Sequence, residues 1–276
     1  MSSILTNNSA MVALQTLQSV NSNLAKTQDM ISTGKAVATA KDNSAIFAIS
    51  KVMESDVSGF KAVSDALSLG ESTVAVASAG AEQITNILND IKEKVVAATG
   101  ENVDHAKIQN DVNELVNQVN SIIGASQFNG ANLLNTAGNT GITVLSSLDR
   151  AADGTVTASN ITVASVDFET TLNLSNIDVS SSIAADTSLA AIEAHIQTAV
   201  DGAAALGASA KRISDQNEFV SKVTDAMKSG IGALVDADLE QASARLQALQ
   251  VQQQLATQSL SIANQAPQAV LSLFRN

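Results

Sequence analysis

The chain has 276 residues and a formal net charge of −12, with no Cys, Trp or Tyr and a single Pro. A chain of this charge lacks the clustered Lys and Arg that neutralise phosphates, which argues against nucleic acid or an anionic membrane as a partner. The absence of Cys excludes disulfides and thiolate zinc sites. Because aromatic residues make up 2% of the chain, Ala, Val, Leu and Ile must fill its core.

The ends and the middle of the chain differ in charge. Residues 1–40 and residues 239–276 each carry a net charge of +1, which leaves −14 for the residues between them. Nearly neutral ends indicate close packing against other surfaces, whereas an acidic middle indicates contact with water. The charged residues of the two ends are Lys26, Asp29, Lys35, Glu240, Arg245 and Arg275.

Neither a membrane span nor a cleaved secretory signal is predicted. The sequence has no apolar run of 18 residues, and a spanning helix needs about 20. Residues 1–13 lack a basic segment and contain a polar run at residues 6–9, which is unlike a signal peptide. We therefore expect any export to use another route.

The first half of the chain has a helical pattern. A first helix is predicted at about residues 8–33, with Gly34 as its end. Over residues 46–98, apolar residues recur at alternating spacings of three and four. This pattern keeps one seam of a helix against a partner for roughly 80 Å, at about 1.5 Å per residue. A shorter helix is predicted to begin at residues 101–104 and to end at residues 124–130.

Two residues interrupt the apolar seam of the long predicted helix. They are Asp56 and Gly70, where the spacing calls for an apolar side chain. We expect neighbour contacts, or a local bend, at both positions.

The helical pattern disappears between residues 135 and 188, where Ser, Thr, Asn, Gly and β-branched residues predominate. Residues 142–148 and 155–163 alternate as strands do, and Asp153-Gly154 between them is a turn sequence, so a hairpin is predicted. Further short strands are predicted up to Val179. The outer Ser and Thr of this region are a hypothetical site for O-linked sugar.

Helical periodicity returns over residues 189–234, after which Asp236 and Asp238 offer N-cap carboxylates to a last helix. That helix carries two apolar stripes and therefore needs two sets of neighbours. The first helix can cover one stripe, and we infer that the other is buried between subunits of a polymer. Pro267 predicts a kink or the end of regular pairing.

The sequence contains no recognisable catalytic or metal-binding constellation. Its two histidines, His105 and His195, form neither a pair at metal-ligand spacing nor an HExxH pattern. Two Ser-x-x-Lys matches, at residues 32–35 and 58–61, lack the other elements of serine acyl-enzymes. We therefore predict no enzymatic activity, no metal and no cofactor.

Segments at both ends of the chain resemble the signatures of bacterial flagellins. The N-terminal part matches at residues 5–10 (LTNNSA), 31–45 and 48–50, and the C-terminal part matches at residues 263–275 (ANQAPQAVLSLFR). Residues 127–130 (QFNG) match the sequence that follows the second core helix. Matches at both ends, in the family's order, make the resemblance specific.

The resemblance implies a structural subunit of the extracellular flagellar filament that serves swimming motility. Such a subunit is exported unfolded through the flagellar type III apparatus and folds beneath a distal cap. The implied partners are further copies of the chain, alone or mixed with other flagellins, together with the filament cap, hook-filament junction proteins and an export chaperone. The short outer segment implies a relatively thin, smooth filament.

The predicted fold is mainly α, a long antiparallel helical coiled-coil bundle with both termini in an inner helical domain and a small β-hairpin region in the middle of the chain. The expected divisions are 1–40 and 236–276 for the inner filament core, 41–135 and 189–235 for the outer bundle, and 136–188 for the variable outer segment. The expected bundle core is Phe60, Leu67, Leu88, Ile91, Leu115, Ile196, Leu206 and Ile213. The expected polymerisation interface is Leu5, Leu14, Leu17, Leu24, Ile31, Leu246, Leu249, Val251, Leu255, Leu260, Ile262, Val270, Leu271, Leu273 and Phe274.

One segment departs from the family pattern. Many flagellins read Leu-Gln-Arg-Val-Arg-Glu-Leu in the patch that animal innate receptors recognise, whereas residues 88–94 of this chain read LNDIKEK. Asp90 reverses an arginine charge and Lys94 replaces an apolar residue. Because arginine and buried apolar residues commonly anchor interfaces, we expect weak receptor activation.

Two other functions stay open at this point. A hook-filament junction protein shares the terminal signature, but it typically has a larger middle insert. A signalling coiled coil, such as a chemoreceptor rod, also has apolar residues at alternating spacings of three and four over long stretches. Its uninterrupted hairpin would not accommodate the β segment, and it normally needs a membrane tether.

Overall fold

The chain folds mainly into α-helices, as predicted. The computed structural model describes residues 7–135, 141–151 and 153–273. Two of its helices have 54 residues each, and two β-hairpins lie between them in sequence. The elements in chain order are α1 (Asn8–Thr33), α2 (Ser44–Ala97), α3 (His105–Ala125), β1 (Gln127–Phe128), β2 (Ala131–Asn132), β3 (Gly141–Arg150), β4 (Val156–Ala164), α4 (Phe168–Thr171), α5 (Ser182–Val235) and α6 (Leu239–Leu273).

Capping residues explain where several helices begin and end. The Asn7 side chain accepts a hydrogen bond from the backbone N–H of Ala10 at 3.1 Å. Asp104 and Asp238 cap α3 and α6 in the same way, which satisfies N–H groups that have no partner within the helix. Gly34 ends α1 at a φ of 69°, a left-handed conformation that glycine adopts without steric cost. The predicted bounds of α1 and the predicted cap at Asp238 are confirmed.

The chain forms two compact units. The terminal unit consists of residues 1–55 and 226–276, and the middle unit consists of residues 56–225. The terminal unit therefore contains α1, α6, the start of α2 and the end of α5. The middle unit contains the remaining parts of α2 and α5 together with α3, α4 and both hairpins.

Within the middle unit, α2 and α5 run antiparallel. Ser64 on α2 donates a hydrogen bond to Asn217 on α5 at 2.7 Å, and Lys92 forms an ion pair with Glu193 at 2.6 Å. Residue numbers thus rise along α2 as they fall along α5, and the buried apolar residues of both helices belong to the same cluster. They form one continuous core with α3, the strands and the connecting segments.

The predicted core residues lie in this apolar cluster. Their burial follows from the spacing of three and four that puts them on one side of each helix. Leu67, Leu88, Ile91, Leu206 and Ile213 are fully buried, whereas Phe60, Leu115 and Ile196 are partly buried and pack against the same cluster.

The predicted hairpin is formed by β3 and β4, which pair antiparallel. Asp153 and Gly154 lie in its turn, as predicted, and Gly154 has a φ of 88°. The pairing shifts register between Leu145 and Ser147, as at a β-bulge. A bulge bends a strand and increases its local twist.

Both interruptions of the apolar seam of α2 are contact points of this hairpin. Arg150 at the end of β3 donates through Nε to Asp56 at 3.0 Å. Val144 lies over Gly70, where a Cβ atom would come within 2.5 Å of the valine Cγ2. Both positions therefore contact the hairpin of the same chain, and contacts with neighbouring copies there stay a prediction.

The prediction of further strands up to Val179 is wrong. Residues 165–181, here named the strap, contain α4, a short 3-10 turn and extended connections. Side chains from two helices bond its backbone. Gln109 accepts from the N–H of Val179 at 2.7 Å, and Ser188 bonds both backbone groups of Asp178. These side chains replace the neighbouring strand that the pattern had implied.

Two further features differ from the prediction. Helix α5 begins at Ser182, before the predicted start at Leu189, and a small hairpin with Asn129 in its turn follows α3. Helix α6 continues through Pro267 to Leu273, and the kink or end of regular pairing at Pro267 stays a prediction. The first discrepancy arises because the first turns of α5 are rich in Ser, Ala and Thr, which leaves the apolar stripe weak.

Candidate assembly surface

The two chain ends form an antiparallel helix pair. Asn7 at the start of α1 donates to the carbonyl of Ala263 near the end of α6 at 2.8 Å. Farther along, Gln253 donates to Asn21 at 2.7 Å. Polar side chains thus fix the register of the pair, which matters because small apolar residues alone allow helices to slide.

Helix α6 turns one of its two apolar stripes toward α1. Ala242, Leu249 and Ala256 on this stripe are buried, and α1 contributes the buried residues Val20 and Thr27. The Thr27 hydroxyl donates to a backbone carbonyl of its own helix at 2.8 Å, so no polar group is buried unpaired there. The prediction that the first helix covers one stripe of the last helix is confirmed.

The second stripe of α6 has no cover within the described residues. Val251, Leu255 and Ile262 are 56%, 58% and 69% exposed. We name these three residues the open face of α6. Scattered exposed apolar residues are normal on a protein surface, but a row of them along one helix indicates an interaction site.

Helix α1 also presents apolar side chains outside the pair. Met11, Val12 and Leu14 are exposed. A groove of about 460 Å³ runs between α1 and α6, lined by Val12 and Ala13 on one side and by Ala256 and Ser259 on the other. The terminal unit therefore offers two distinct surfaces, a shallow groove and the open face of α6.

The other residues of the predicted interface are distributed over both sides of the pair. Partly buried are Leu17, Leu24, Ile31, Leu246 and Leu260, while Leu249 is buried inside the subunit. Leu5 and Phe274 lie outside the described residues, as do the side chains of Val270, Leu271 and Leu273.

The two connections between the helix pair and the long helices are bonded to each other. The N–H of Ala36 donates to the carbonyl of Val235 at 2.7 Å, and the N–H of Ala237 donates to the carbonyl of Gly34 at 2.9 Å. Lys35 also approaches Glu54 of α2 at 3.7 Å. These bonds form an isolated antiparallel β-bridge between Lys35 and Asp236.

The predicted receptor-patch residues lie on the surface of the middle unit. Asp90 is exposed, and Lys94 forms an ion pair with Asp111 of α3 at 2.9 Å. The hydrogen bond with Asp111 raises the pKa of Lys94. Because Leu88 and Ile91 are buried in the core, the residues available to a receptor there are mainly charged or polar.

The two histidines bond the strap. Nδ1 of His105 lies 3.2 Å from the carbonyl oxygen of Val179, so that nitrogen carries the hydrogen and donates. Partial burial lowers the pKa of His195, against the opposing effect of a hydrogen bond with the backbone of Asn173. Both imidazoles thus have a structural role in positioning this connection.

The described ranges contain no group of His, Asp or Glu that could bind a metal ion. Within the same ranges, no helix combines the length and apolarity needed to cross a bilayer.

Sequence reasoning missed the glycines at which segments cross the long helices. A Cβ atom at Gly80 would lie 2.3 Å from Ser126 Oγ, and one at Gly202 would lie 2.7 Å from the ring of Phe168. The signal that could have identified them is a glycine on the buried side of a helix, since glycine there is unfavourable by about 1 kcal/mol unless something needs the space.

Comparison with known proteins assigns the sequence of this chain to a family. The sequence model of the bacterial flagellin N-terminal helical region matches residues 4–140, and that of the C-terminal helical region matches residues 189–274. A flagellin of Brucella melitensis is 40% identical over 283 residues, covering 100% of both chains. The chain belongs to the bacterial flagellins.

Matches to other relatives support the assignment of the chain to the flagellins. Flagellin FljK of Caulobacter vibrioides is 38% identical over 278 residues, covering 100% of this chain and 99% of the relative. Flagellin C of Rhizobium meliloti is 36% identical over 320 residues, covering 100% of both chains. A crystal structure of Bacillus cereus flagellin matches 55% of this chain and 86% of that chain, at 19% identity and a TM-score of 0.49. The family assignment rests on the sequence matches alone.

Family membership settles the general function. This flagellin is a non-enzymatic structural subunit of the extracellular flagellar filament, and it serves motility by assembling with further subunits. The hook-filament junction and signalling alternatives are thereby set aside.

Proposed function

We propose that this flagellin polymerises chiefly through the open face of α6 together with the exposed apolar residues of α1. The observation that supports the proposal is the row of Val251, Leu255 and Ile262, which stays exposed although α1 covers the opposite stripe of the same helix. Burying an exposed Val, Leu or Ile side chain contributes about 1.5–3 kcal/mol. Three such residues in one row can therefore stabilise a contact with another copy.

The proposed contact joins different faces of neighbouring copies. The open face of α6 is apolar and extended, whereas the groove between α1 and α6 is concave. Contacts between unlike faces propagate as an open helix when the rotation between copies does not close a ring. A filament is the assembly that such a subunit forms.

Further partners follow from the family and belong to the same proposal. Export in the unfolded state by the flagellar type III system requires an export chaperone for this chain. Growth at the filament tip requires a cap, and attachment at the base requires hook-filament junction proteins.

The proposal is tested by placing a charge on the open face. Leu255→Asp should raise the critical concentration for polymerisation at least tenfold, about 1.4 kcal/mol, because the carboxylate would be buried between copies. Leu255 is 58% exposed in the subunit, so the variant should keep the wild-type circular dichroism spectrum. Leu255→Met is the matched control, since it keeps the face apolar. Filaments of Leu255→Asp at the wild-type critical concentration would contradict the proposal.

A second proposal concerns innate-receptor recognition. The exposed Asp90 and the ion-paired Lys94 replace an arginine and an apolar residue of the family patch. Purified monomer should therefore activate an animal flagellin receptor weakly in a reporter assay, and the double variant Asp90→Arg with Lys94→Leu should increase the response. A strong response to the unmodified monomer would overturn this proposal.

A third proposal places O-linked sugar on the outer hairpin. Thr157 and Thr162 lie on β4, and both are exposed. Their hydroxyls are accessible to a modifying enzyme on the folded subunit. Filament-derived protein should therefore exceed the mass of the bare chain in intact-mass spectrometry, and a mass equal to that of the bare chain would refute the proposal.

A further inference from the structure

An exposed phenylalanine stands on the outer side of α5 in the middle unit. Phe219 is 58% exposed, although the sequence has only six Phe and no Trp or Tyr. Aromatic side chains bury about 150–250 Å² and dominate interface energies. A large ring held in water on an otherwise polar helix surface is therefore a candidate contact residue.

The same unit contains an apolar groove. Its volume is about 370 Å³, and its floor includes Gly70, where β3 packs closely on α2. Leu69 at its rim is 53% exposed. The groove volume exceeds that of one aromatic ring. The groove is lined mainly by Ala66, Leu69 and Gly70 of α2, Phe128 of the β1–β2 hairpin, and Ile142 and Val144 of β3.

Phe219 and the groove lie on opposite flanks of the α2/α5 pair. Asn217 bonds Ser64 and Ser68 and so marks the side of α5 that faces α2. Phe219 lies two residues farther on, about 200° around the helix, and therefore points away from α2. Leu69 lies about 100° from Ser68 and about 140° from Ser64, and therefore points away from α5.

We propose that Phe219 of one copy inserts into the α2 groove of a neighbouring copy in the filament. The inference rests on the proposed self-assembly and adds a contact in the middle unit to the contacts of the terminal unit. A knob on one flank and a groove on the other form a heterologous contact, which repeats from copy to copy without closing. The occupant of the groove is thus a second copy of this chain.

Charges beside the knob and the groove are complementary. Asp65 lies one turn before Leu69 on α2, and Lys222 lies nearly one turn after Phe219 on α5. Because the two helices are antiparallel, both charges are displaced in the same direction along the pair. Two copies aligned in parallel would therefore bring Lys222 of one beside Asp65 of the next. The exposed pair of Lys222 with Glu218 is worth little and can exchange.

Cross-linking tests the contact directly, because the chain has no Cys. The double variant Leu69→Cys with Phe219→Cys, treated with a short bis-maleimide, should give a ladder of covalent oligomers from filaments and none from monomers. Each single variant should give no cross-link, and Leu69→Cys with Val200→Cys, a pair that uses another exposed residue of α5, should give no ladder.

The outcomes separate this inference from the proposed assembly mode. Filaments of the double variant without a ladder would overturn the Phe219 contact and leave the terminal contacts intact. A dimer from either single variant would also overturn it, since the contact would then join like faces. Failure of Leu255→Asp to impair assembly would instead contradict the proposal for the terminal unit.

Polymerisation measurements give a second test. Phe219→Ser should raise the critical concentration about tenfold with an unchanged circular dichroism spectrum, whereas Val200→Ser should not. Lys222→Asp should weaken assembly, and adding Asp65→Lys in the same chain should restore it, because every copy then carries the reversed pair. An unchanged critical concentration for Phe219→Ser, or no restoration by the reversed pair, would overturn the inference.

Discussion

Gly70 lies where β3 crosses α2, and this close approach predicts a cost for any side chain there. A Cβ atom would come within 2.5 Å of Val144 Cγ2 and 3.3 Å of its Cβ, so Gly70→Ala forces the strand or the helix to move. Such overpacking costs about 1–3 kcal/mol, which, set against a gain of about 1 kcal/mol from better helix propensity, gives a net loss of up to about 2 kcal/mol. Urea unfolding of the monomer should show the loss.

The matched control for this substitution is Gly207→Ala. Gly207 also lies inside a long helix, but a Cβ atom there would meet nothing within 4 Å. The control should therefore increase the free energy of unfolding by about 0.5–1 kcal/mol. Combining Gly70→Ala with Val144→Ala should recover part of the loss. Equal effects of the two glycine substitutions would contradict the close approach of β3.

His195 predicts a pH dependence of stability. Burial lowers the pKa of its imidazole in the folded chain, whereas the unfolded value is about 6.5. The unfolded state therefore binds the proton more readily, and the free energy of unfolding contributed by this residue falls as the pH drops through about 6.5 and below. Stability from this source is fully present above that pH.

Substituting His195 by Gln tests this dependence. The variant should lose less stability than the wild-type chain between about pH 7.5 and about pH 5.5, measured by urea unfolding of the monomer. Carboxylates titrate in both proteins, so the difference between the two slopes isolates the histidine. Parallel slopes would show that His195 does not titrate differently in the folded and unfolded states.

At the scale of elements, the sequence predicted the helices, turns and caps that depend on residues close together in the chain. The bounds of α1, the long seam of α2, the β3–β4 hairpin and the cap of α6 all follow from spacing, capping and turn residues. The conformation of the strap was not predicted, because Ser, Thr and β-branched residues form a strand only when another strand is adjacent. Here the side chains of Gln109 and Ser188 bond its backbone instead, and those contacts join residues distant in sequence.

The candidate assembly surface was also predicted in part. Two apolar stripes on α6 predicted one covered and one open side, and α1 covers the stripe of Leu249 while Val251 stays exposed. The sequence could not indicate the groove beside Gly70 or the position of Phe219 opposite to it. Both depend on how β3 and α5 are placed against α2, which one-dimensional patterns do not contain.

Deleting residues 271–276 should affect assembly without affecting the fold of the middle unit. The deletion shortens α6 by Leu271–Leu273 and removes the last apolar residues of the chain. Assembly should fail, while α2 and α5 stay helical because the middle unit forms its own core. Negative-stain electron microscopy and circular dichroism measure the two effects. Deleting Asn276 alone is the control, and normal filaments from the longer deletion would contradict this account.

At the scale of the whole molecule, the uneven charge predicts that assembly depends on salt. Residues 1–40 and 239–276 carry +1 each, whereas the residues between them carry −14. Every copy added to a filament brings a further acidic surface close to those already present, and like charges oppose its addition. Raising the ionic strength from about 0.01 M to about 0.15 M shortens the screening length from about 30 Å to about 8 Å. The critical concentration for polymerisation should fall over this range.

A variant with fewer carboxylates distinguishes this repulsion from a general effect of salt on apolar contacts. Asp90→Asn, Glu101→Gln and Asp186→Asn together remove three exposed charges from the middle unit. The triple variant should polymerise at a lower critical concentration at about 0.01 M salt and converge on the wild-type value at about 0.15 M. Sedimentation of filaments at each salt concentration measures both values. If salt raised the wild-type critical concentration, attraction between opposite charges, such as Lys222 and Asp65 of neighbouring copies, would outweigh the repulsion between the acidic surfaces.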